Sequence, residues 1–461
     1  MDQRSEIRRL SRAVGKMTLP VLVEQFCIVI MGVINTMLAS NMGKEAISAI
    51  GMIDTISMII ISLFGALALG GTVVVAQYVG HQEEDRASQT AAQALVSSFL
   101  IASLVTLLVL VLKNAIVRGL YGNAEPLVLE YAMDYLSITL WSYIPIAMVS
   151  IAFGILRGSG DTRTPMIVSI LMNLFNVVFS SILIYGLNLN MGAFGIRLPA
   201  YGVRGAAAGL TLARLAGMLI VLIPLIRGSR QLKLNHAWLF RPDWFLLRCI
   251  FSLGIPASAE QLMFNGGKLI TQTFIVRLGT TAMAANAIAN SIISLIMIPG
   301  NALAIAATAL VGQLVGAGQT REARKQLRFL IIASSAAIAV LGLLILPFRN
   351  DFIRLYSQDP ELIRIVSVIF ISSLIAQPLL WSSSFITPAG LRGAGDIRFT
   401  MVVSIVSVWV LRIGFGYVFA VVLPWGVLGV WMAMYVDWIG RSIFFIRRMS
   451  RQEWLNRAVI R

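Results

Sequence analysis

The sequence that decides the fold runs from Pro20 to Ala87. It begins PVLVEQF at residues 20–26, continues INTMLASNMG at 34–43 and ends VVVAQYVGHQEEDRA at 73–87. Moved forward by 236 residues, this stretch meets a second copy without a gap. Identical residues recur at Pro20 and Pro256, Glu24 and Glu260, Gln77 and Gln313, and Gly80 and Gly316. An ungapped register over about 70 residues indicates that the chain is an internal duplication.

The composition is that of a membrane protein. The 461 residues are 58% hydrophobic and only 13% charged, with a mean hydropathy of +0.83, whereas soluble proteins carry about 25% charged residues. The apolar residues form segments of about 20 residues, each long enough to cross a hydrocarbon core of ~30 Å. Because these segments lack the alternating pattern of barrel strands, we predict an all-α fold.

The pattern predicts twelve transmembrane helices in two six-helix lobes. The N-lobe covers residues 1–226, a polar and aromatic connector 227–248, and the C-lobe 249–461. The connector is either a loop or an amphipathic helix on the membrane surface. The predicted spans are 17–40, 47–78, 90–112, 128–154, 166–187, 205–226, 250–276, 283–314, 327–347, 363–390, 400–422 and 427–446. Because each half has an even number of spans, both copies enter the membrane in the same orientation as parallel repeats.

The net charge of +16 reports topology rather than nucleic-acid binding. Of the 37 Lys and Arg residues, 23 fall in segments on the side of the N-terminus, eight in the opposite loops and six inside the predicted spans. This positive-inside bias predicts that both termini are cytoplasmic in a multi-pass protein of a bacterial inner membrane. We expect small-molecule substrates and membrane lipids as partners, no nucleic acid, and a monomer.

The sequence contains no signature of an enzyme. There is no nucleophile–base pair, no metal-ligand cluster and no GxxxxGK[ST] loop for nucleotide phosphates. We therefore expect no cofactor and no metal site. Two lobes of equal topology instead favour transport by alternating access, in which the seam between them opens to each side in turn. Without a nucleotide site, an ion gradient must drive that transport, or it is passive.

A second repeated motif strengthens this interpretation. LRGSGDTR at residues 156–163 recurs as LRGAGDIR at 391–398, after the fourth span of each half. Its glycines permit a tight turn between helices, and we expect its Arg and Asp to clamp that turn. A third echo, Gly202-Val-Arg-Gly205 against Gly426-Val-Leu-Gly429, opens the sixth span of each half.

These motifs, in this order, resemble the multidrug and toxic compound extrusion (MATE) transporters of the MOP flippase superfamily. The resemblance rests on the long second span ending VAQYVG, its partner ending VGQLVG, the paired LRGxGDxR loops and the twelve spans. It implies a V-shaped two-lobe fold. It also implies efflux of organic, amphipathic or cationic compounds by antiport with protons or sodium.

The resemblance also implies an N-lobe pocket, but the acids that the family places there are absent. Family members carry Asp in span 1 where this chain has Asn35, and a second Asp in span 5 where it has Ser180. Because Asn173, Asn176 and Ser180 share one helix face, we expect them to line this pocket with Asn35. Asp54 is then the nearest remaining acid.

Charged residues inside spans are expensive and usually functional. Asp54, Glu24 and Glu260 are candidate coupling carboxylates, although both glutamates lie close to the inner ends of their spans and are also suited to structural ion pairs. In the C-lobe, Lys268 and Arg412 lie within spans 7 and 11. Lys268 is either a partner in a buried ion pair or a functional group: a counter-charge, an anion contact or a group that titrates when desolvated. The polar residues expected to line the C-lobe pocket with them are Asn286, Asn290 and Gln377.

Two other functions stay open at this point. A flippase for a lipid-linked oligosaccharide or another amphiphile would suit neutral pocket residues together with Lys268. A passive channel is disfavoured, because a pore does not need two mobile halves. The sequence therefore predicts a secondary active efflux transporter, with substrate and coupling ion unassigned.

Overall fold

The computed structural model describes residues 3–40, 42–191, 194–228, 232–239, 241–451 and 453–460. Its first half contains α1 Gln3–Ser40, α2 Lys44–Gly80, α3 Glu84–Tyr121, α4 Pro126–Thr139, α5 Tyr143–Gly158, α6 Arg163–Tyr185, the strands β1 Leu187–Met191 and β2 Phe194–Leu198, and α7 Gly202–Arg227. The second half contains α8 His236–Leu239, α9 Trp244–Arg277, α10 Thr280–Ile296, α11 Ile298–Gly316, α12 Thr320–Ile345, α13 Arg349–Arg354, α14 Pro360–Ala376, α15 Ser382–Gly393, α16 Ile397–Val406, α17 Ile413–Tyr417 and α18 Gly426–Ser450.

Helices occupy all twelve predicted spans. Ten helical stretches in the described residues are long and apolar enough to cross a membrane, and α10 is a shorter apolar helix. The two predicted spans outside that set lie on α9 and α18. These helices carry charges at mid-length, including Lys268 on α9 and Asp437 and Arg441 on α18. Ionisable residues at such depth lower hydropathy and mark functional or structural polar sites.

Several spans of the second half are interrupted. The eighth span breaks at Met297, where Pro299 stands in the first turn of α11 and lacks the N–H of a continuous helix. Wider π-helical turns separate α14 from α15 at Gln377–Trp381 and α16 from α17 at Ser407–Arg412, and a third follows α17 at Val418–Val422. Turns of this type are rare and occur mostly at functional sites.

A short hairpin was not predicted. Strands β1 and β2 pair antiparallel between α6 and α7, from Leu187 opposite Leu198 to Met191 opposite Phe194. The sequence LNLNMGAFGIRL follows directly on an apolar helix, and its alternation is too short to distinguish from a loop. The hairpin is the one departure from helix among the elements described.

The chain folds into two compact units. One, here the N-terminal unit, comprises Val23–Val75 and Glu84–Phe251. The other, the C-terminal unit, comprises the residues up to Leu22, Ala76–Glu83 and those from Ser252 onwards. The division into 1–226, 227–248 and 249–461, drawn from the spans, stays a prediction.

The repeated glycines of the opening stretch explain a close helix crossing inside the C-terminal unit. A Cβ on Gly80 would lie 2.0 Å from the carbonyl oxygen of Gln313, and a Cβ on Gly316 would lie 2.0 Å from that of Gln77. Only glycine permits backbones to approach this closely. Gln77 also donates from Nε2 to the carbonyl of Gly393 at 3.1 Å. The duplicated Gln and Gly residues therefore build one reciprocal contact.

The connector is mostly irregular. Its only helix in the described residues, α8, is a single turn, and α9 begins at Trp244. Gln93 of α3 donates from Nε2 to the carbonyls of Trp238 and Arg241 at 2.7 and 2.9 Å, and Arg86 pairs with Asp243 at 3.3 Å. The connector is thus held against α3 by hydrogen bonds rather than formed into a long amphipathic helix.

Candidate functional site

The N-terminal unit contains a cavity of about 190 Å³. Helices α1, α2, α4, α6 and α7 contribute its walls. Four of the five residues predicted for the N-lobe pocket line it together: Asn35, Asp54, Asn176 and Ser180. Asn173 is not among the lining residues, and its buried Nδ2 has no hydrogen-bond partner.

A chain of hydrogen bonds orders the neutral side of this cavity. Ser180 donates from Oγ to Asn176 Oδ1 at 3.1 Å, and Asn176 donates from Nδ2 to Asn35 Oδ1 at 2.9 Å. Gly209 of α7 makes this geometry possible, because a Cβ there would lie 2.5 Å from Ser180 Oγ. The positions where the family carries acids are therefore linked here through Asn176, and neither residue carries a charge.

Asp54 is the one carboxylate that lines this cavity among the described residues. Its side chain is exposed, and Tyr135 donates from its hydroxyl to Asp54 Oδ1 at 3.3 Å. Arg214 of α7 interacts with Asp54 electrostatically, but the two do not come within salt-bridge distance. Arg214 instead donates to Ser142 Oγ at 2.7 Å. Asp54 thus keeps an accessible anionic face toward the cavity.

The C-terminal unit contains a second cavity, of about 170 Å³. Four of the five residues predicted for the C-lobe pocket line it: Lys268, Asn286, Asn290 and Arg412. Gln377 is elsewhere. It is 1% exposed at the start of a π-helical turn, and its Nε2 has no partner.

The two cavities are formed by equivalent positions of the duplication. Residues 32, 35, 39, 50 and 54 line the first, and the residues 236 positions later line the second. Their side chains differ in charge: Gly32 corresponds to Lys268 and Asp54 to Asn290. The first cavity therefore carries one negative charge on its lining, and the second carries two positive charges.

An aromatic ring lies among the cations of the C-terminal unit. Lys268 Nζ lies 5.0 Å from the Phe264 ring centre, and the guanidinium carbons of Arg412 and Arg441 lie 5.9 and 5.8 Å from it. Contacts of this kind stabilise a desolvated cation. Arg441 is 2% exposed and also lies 4.6 Å from the Phe385 ring.

One acid lies near these cations. Asp437 is fully buried on α18 and accepts a hydrogen bond from Ser407 Oγ at 2.5 Å, while its second oxygen has no partner. It interacts electrostatically with Arg412 and Arg441. It does not line the cavity. Asp437 therefore offsets part of the positive charge from behind the cavity wall.

The glutamates at equivalent positions 24 and 260 form equivalent ion pairs. Glu24 accepts from Arg157 Nη2, and Glu260 accepts from Arg392 Nη1 at 3.3 Å. Both arginines come from the LRGxGDxR motif. That the Arg and Asp of this motif clamp its turn stays a prediction. Asp161 accepts hydrogen bonds from the backbone N–H groups of Arg163 and Thr164 at the start of α6, where carboxylates satisfy unpaired helix donors.

Sequence reasoning missed several lining residues. Tyr135 and Trp431 line the two cavities, and Thr271 and Gln272 lie beside Lys268. Trp431 donates from Nε1 to Asn286 Oδ1 at 3.1 Å. Tyr and Trp inside a span carry no distinctive signal on their own. The duplication could have identified Thr271, because it lies 236 residues after Asn35 and therefore occupies the equivalent position.

The chain matches one family model twice. The MatE model covers residues 20–182 and 256–418, so its two matches lie 236 residues apart. This confirms the duplication and its offset.

Relatives match over nearly the full length. "Uncharacterized transporter YisQ" of Bacillus subtilis is 26% identical over 96% of this chain and 95% of its own. "Probable multidrug resistance protein NorM" of Thermotoga maritima is 26% identical over 99% of this chain and 96% of its own.

Solved structures show the same fold. An outward-facing multidrug resistance MATE family transporter of the MOP superfamily superposes with a TM-score of 0.87 at 21% identity, covering 96% of this chain and 97% of that chain. A MOP superfamily transporter from Pyrococcus furiosus, described as having a binding pocket of reverse polarity, superposes with a TM-score of 0.86 at 21% identity, covering 97% of both chains. The chain is therefore a member of the MatE family, a multi-span MATE transporter.

Proposed function

We propose that this transporter exports organic compounds from the cell by alternating access, driven by influx of protons or sodium, and that Asp54 binds the coupling ion. The substrates are amphipathic compounds, organic cations among them. The observation that carries the proposal is the Asp54 carboxylate, exposed in a polar cavity beside Tyr135 and the Asn35–Asn176 pair. Relatives described as multidrug resistance proteins support the choice of organic substrates.

The alternatives to Asp54 are less suited to coupling. Glu24 and Glu260 are 3% and 7% exposed and are each engaged by an arginine. A carboxylate held by a fixed cation competes poorly for a second cation. Asp54 has a hydroxyl donor and no direct salt bridge among the described residues. It can therefore exchange a proton or a sodium ion with the cavity.

The orientation of the chain belongs to the same proposal. The Lys and Arg bias supports cytoplasmic termini in a bacterial inner membrane. The coupling ion would then enter the cell while the substrate leaves it. We propose a monomer, because each cavity is enclosed by residues of a single compact unit.

The test is counterflow in proteoliposomes with proton and sodium gradients imposed separately. Substrates are tetraphenylphosphonium as an organic cation and a panel of neutral and anionic aromatic compounds. The native chain is expected to transport at least one of them only when an ion gradient is present. Asp54→Asn is expected to abolish gradient-driven transport, whereas Asp351→Asn, at an exposed position on the short helix α13, serves as the matched control.

The outcomes separate the alternatives. Gradient-driven transport that survives in Asp54→Asn would refute the assignment of the coupling site. Flux of substrate that needs no gradient and is not accelerated by one would indicate a passive channel. Movement of labelled lipid-linked sugars, without transport of any soluble compound, would indicate a flippase.

A further inference from the structure

We propose that the cavity of the C-terminal unit is an anion site, in which Lys268 and Arg412 bind the carboxylate, sulfonate or phosphate group of an amphipathic substrate. That the bound compound is then exported rests on the function proposed above. The binding itself does not, because it depends only on the lining of this cavity. The occupant is an organic anion with an aromatic or aliphatic body.

The first argument is uncompensated charge at the cavity wall. Neither Lys268 nor Arg412 forms a salt bridge within 4 Å in the described part of the chain, and Arg412 Nε is buried without a hydrogen-bond partner. The two cations are also close enough to repel each other. An anion placed between them would relieve that repulsion and supply the missing acceptor.

The surrounding charges do not neutralise the site. Asp437 lies behind the wall, bonded to Ser407, and it faces Arg441 as well as Arg412. Glu260 is already paired with Arg392. Lys268, Arg412, Arg441 and Arg392 stand against Asp437 and Glu260, so two positive charges remain in excess. Lys268 is exposed in the cavity, whereas Arg412 is partly buried. A partly buried cation without a counter-charge is rare unless a ligand or a partner supplies one.

The rest of the lining suits an amphipathic ligand. Asn286 is fixed by the indole N–H of Trp431 at 3.1 Å and by Asn290, which donates to its carbonyl at 2.8 Å. Trp431, Ile275 and Met434 supply apolar surface in the same cavity. Six of the ten lining residues are polar or charged, and the other four are Ile275, Val430, Trp431 and Met434. Polar groups that fix orientation beside apolar surface are typical of small-molecule sites. Lys268 and Arg412 then favour a ligand with a negative charge.

The duplication provides an internal comparison. In the equivalent cavity of the N-terminal unit, Gly32 stands in place of Lys268, the acid Asp54 stands in place of Asn290, and no Lys or Arg is among the described lining residues. The scaffold is shared, so the two positive charges are not required to build it. They are specific to the second cavity, as a binding role predicts.

Three probes with one naphthyl body separate charge from hydrophobicity. They are 1-naphthylacetate, its neutral amide and 1-naphthylethylamine, titrated into the purified full-length protein in detergent by isothermal calorimetry. The anion is expected to bind about tenfold more tightly than the amide, equivalent to about 1.4 kcal/mol, and the amine more weakly still.

Variants locate the effect. Lys268→Met and Arg412→Met are each expected to weaken binding of the anion about tenfold while leaving the amide within twofold, whereas Lys268→Arg keeps the charge and the affinity. Asn290→Asp, which copies the acid of the first cavity, is expected to lower affinity for the anion and raise it for the amine. Arg277→Met, at the exposed end of the same helix, is the matched control. Monodispersity and unfolding temperature confirm that each variant is folded.

Several results would overturn the proposal. Equal affinity for the three probes would show that the cavity does not select charge. Unchanged affinity for the anion in both methionine variants would show that Lys268 and Arg412 do not bind it. Competition by dihexanoyl phosphatidylglycerol would identify a lipid headgroup as the source of the anion, and its absence would indicate a soluble compound. Asp54→Asn is expected to leave naphthylacetate binding intact. If the anion binds but no compound is transported, the proposed export function is contradicted and the anion site is not. If compounds are transported but the anion does not bind, the anion site is contradicted and the export function is not.

Discussion

The Glu260–Arg392 ion pair gives the sharpest prediction from the structure: removing either partner alone should cost more stability than removing both. Arg392 Nη1 lies 3.3 Å from Glu260 Oε1, and the two side chains are 24% and 9% exposed. At that distance the Coulomb attraction is about 5 kcal/mol for an effective dielectric constant of about 20. Desolvation of both charges offsets most of it, which leaves a net contribution of about 1–2 kcal/mol.

The single variants are worse because they leave one charge without its partner. Breaking a fully buried pair costs about 3–5 kcal/mol, and the partial exposure of Arg392 lowers this to about 2–3 kcal/mol for Glu260→Gln. Arg392→Gln leaves the more buried Glu260 unpaired and is expected to cost at least as much. The double variant contains neither charge and is expected to lose only about 1–2 kcal/mol.

The native chain, the two single variants and the double variant are compared by thermal unfolding in detergent, followed by tryptophan fluorescence. About 1 kcal/mol corresponds to roughly 2–4 °C for a unit of about 200 residues, so each single variant is expected to lower Tm by about 4–12 °C. The double variant is expected to lower Tm by only about 2–8 °C. The Glu24–Arg157 pair, with side chains 3% and 16% exposed, is the internal control and should show stronger coupling. If the double variant instead loses the sum of the two single losses, the residues do not act as a pair.

Three further predictions concern single positions. Gly316→Ala places a Cβ 2.0 Å from the backbone oxygen of Gln77 and is expected to lower Tm and the yield of folded protein, whereas Gly414→Ala, which meets nothing within 4 Å, should not. Tyr135→Phe removes the hydrogen bond to Asp54 and is expected to shift the pH dependence of transport without loss of folded protein; an unchanged pH profile would contradict the role of this contact. Asn35→Asp adds an acid to the same cavity and is expected to change ion dependence in proteoliposomes, and no change would show that position 35 does not take part in coupling.

The fold could be predicted because the signals that determine it are repeated. Apolar length fixed the positions of the spans, and the offset between Pro20 and Pro256 showed that one unit occurs twice. The breaks at Met297 and at Ser407–Arg412 could not be predicted with the same certainty. A π-helical turn depends on the packing of neighbouring helices, and the local sequence of Ser407–Arg412 does not contain that information.

The site was predicted where chemistry made a residue conspicuous. Lys268 and Asp54 were identified because a charge inside an apolar span is costly. Tyr135 and Trp431 were not, because aromatic residues are common in spans and their roles depend on which side chain they meet. The partner of Arg157 was also missed. Asp161 lies only four residues from Arg157 in sequence, but it accepts a hydrogen bond from a backbone N–H group at the start of α6. Glu24 is distant from Arg157 in sequence and adjacent to it in space.

Duplication explains why one chain carries two cavities of opposite charge. Both copies inherited the same backbone frame, so positions such as 35 and 271, or 54 and 290, line a cavity in each. Once two cavities exist, the lining side chains of one can change without loss of the function of the other. Under the assignments proposed above, Asp54 would bind the ion while its counterpart Asn290 would not, and Lys268 in place of Gly32 would add charge selection to the second site only. If coupling and recognition are divided in this way, neutralising Asp54 must impair transport of every substrate equally, whereas neutralising Lys268 must change the order in which substrates are preferred.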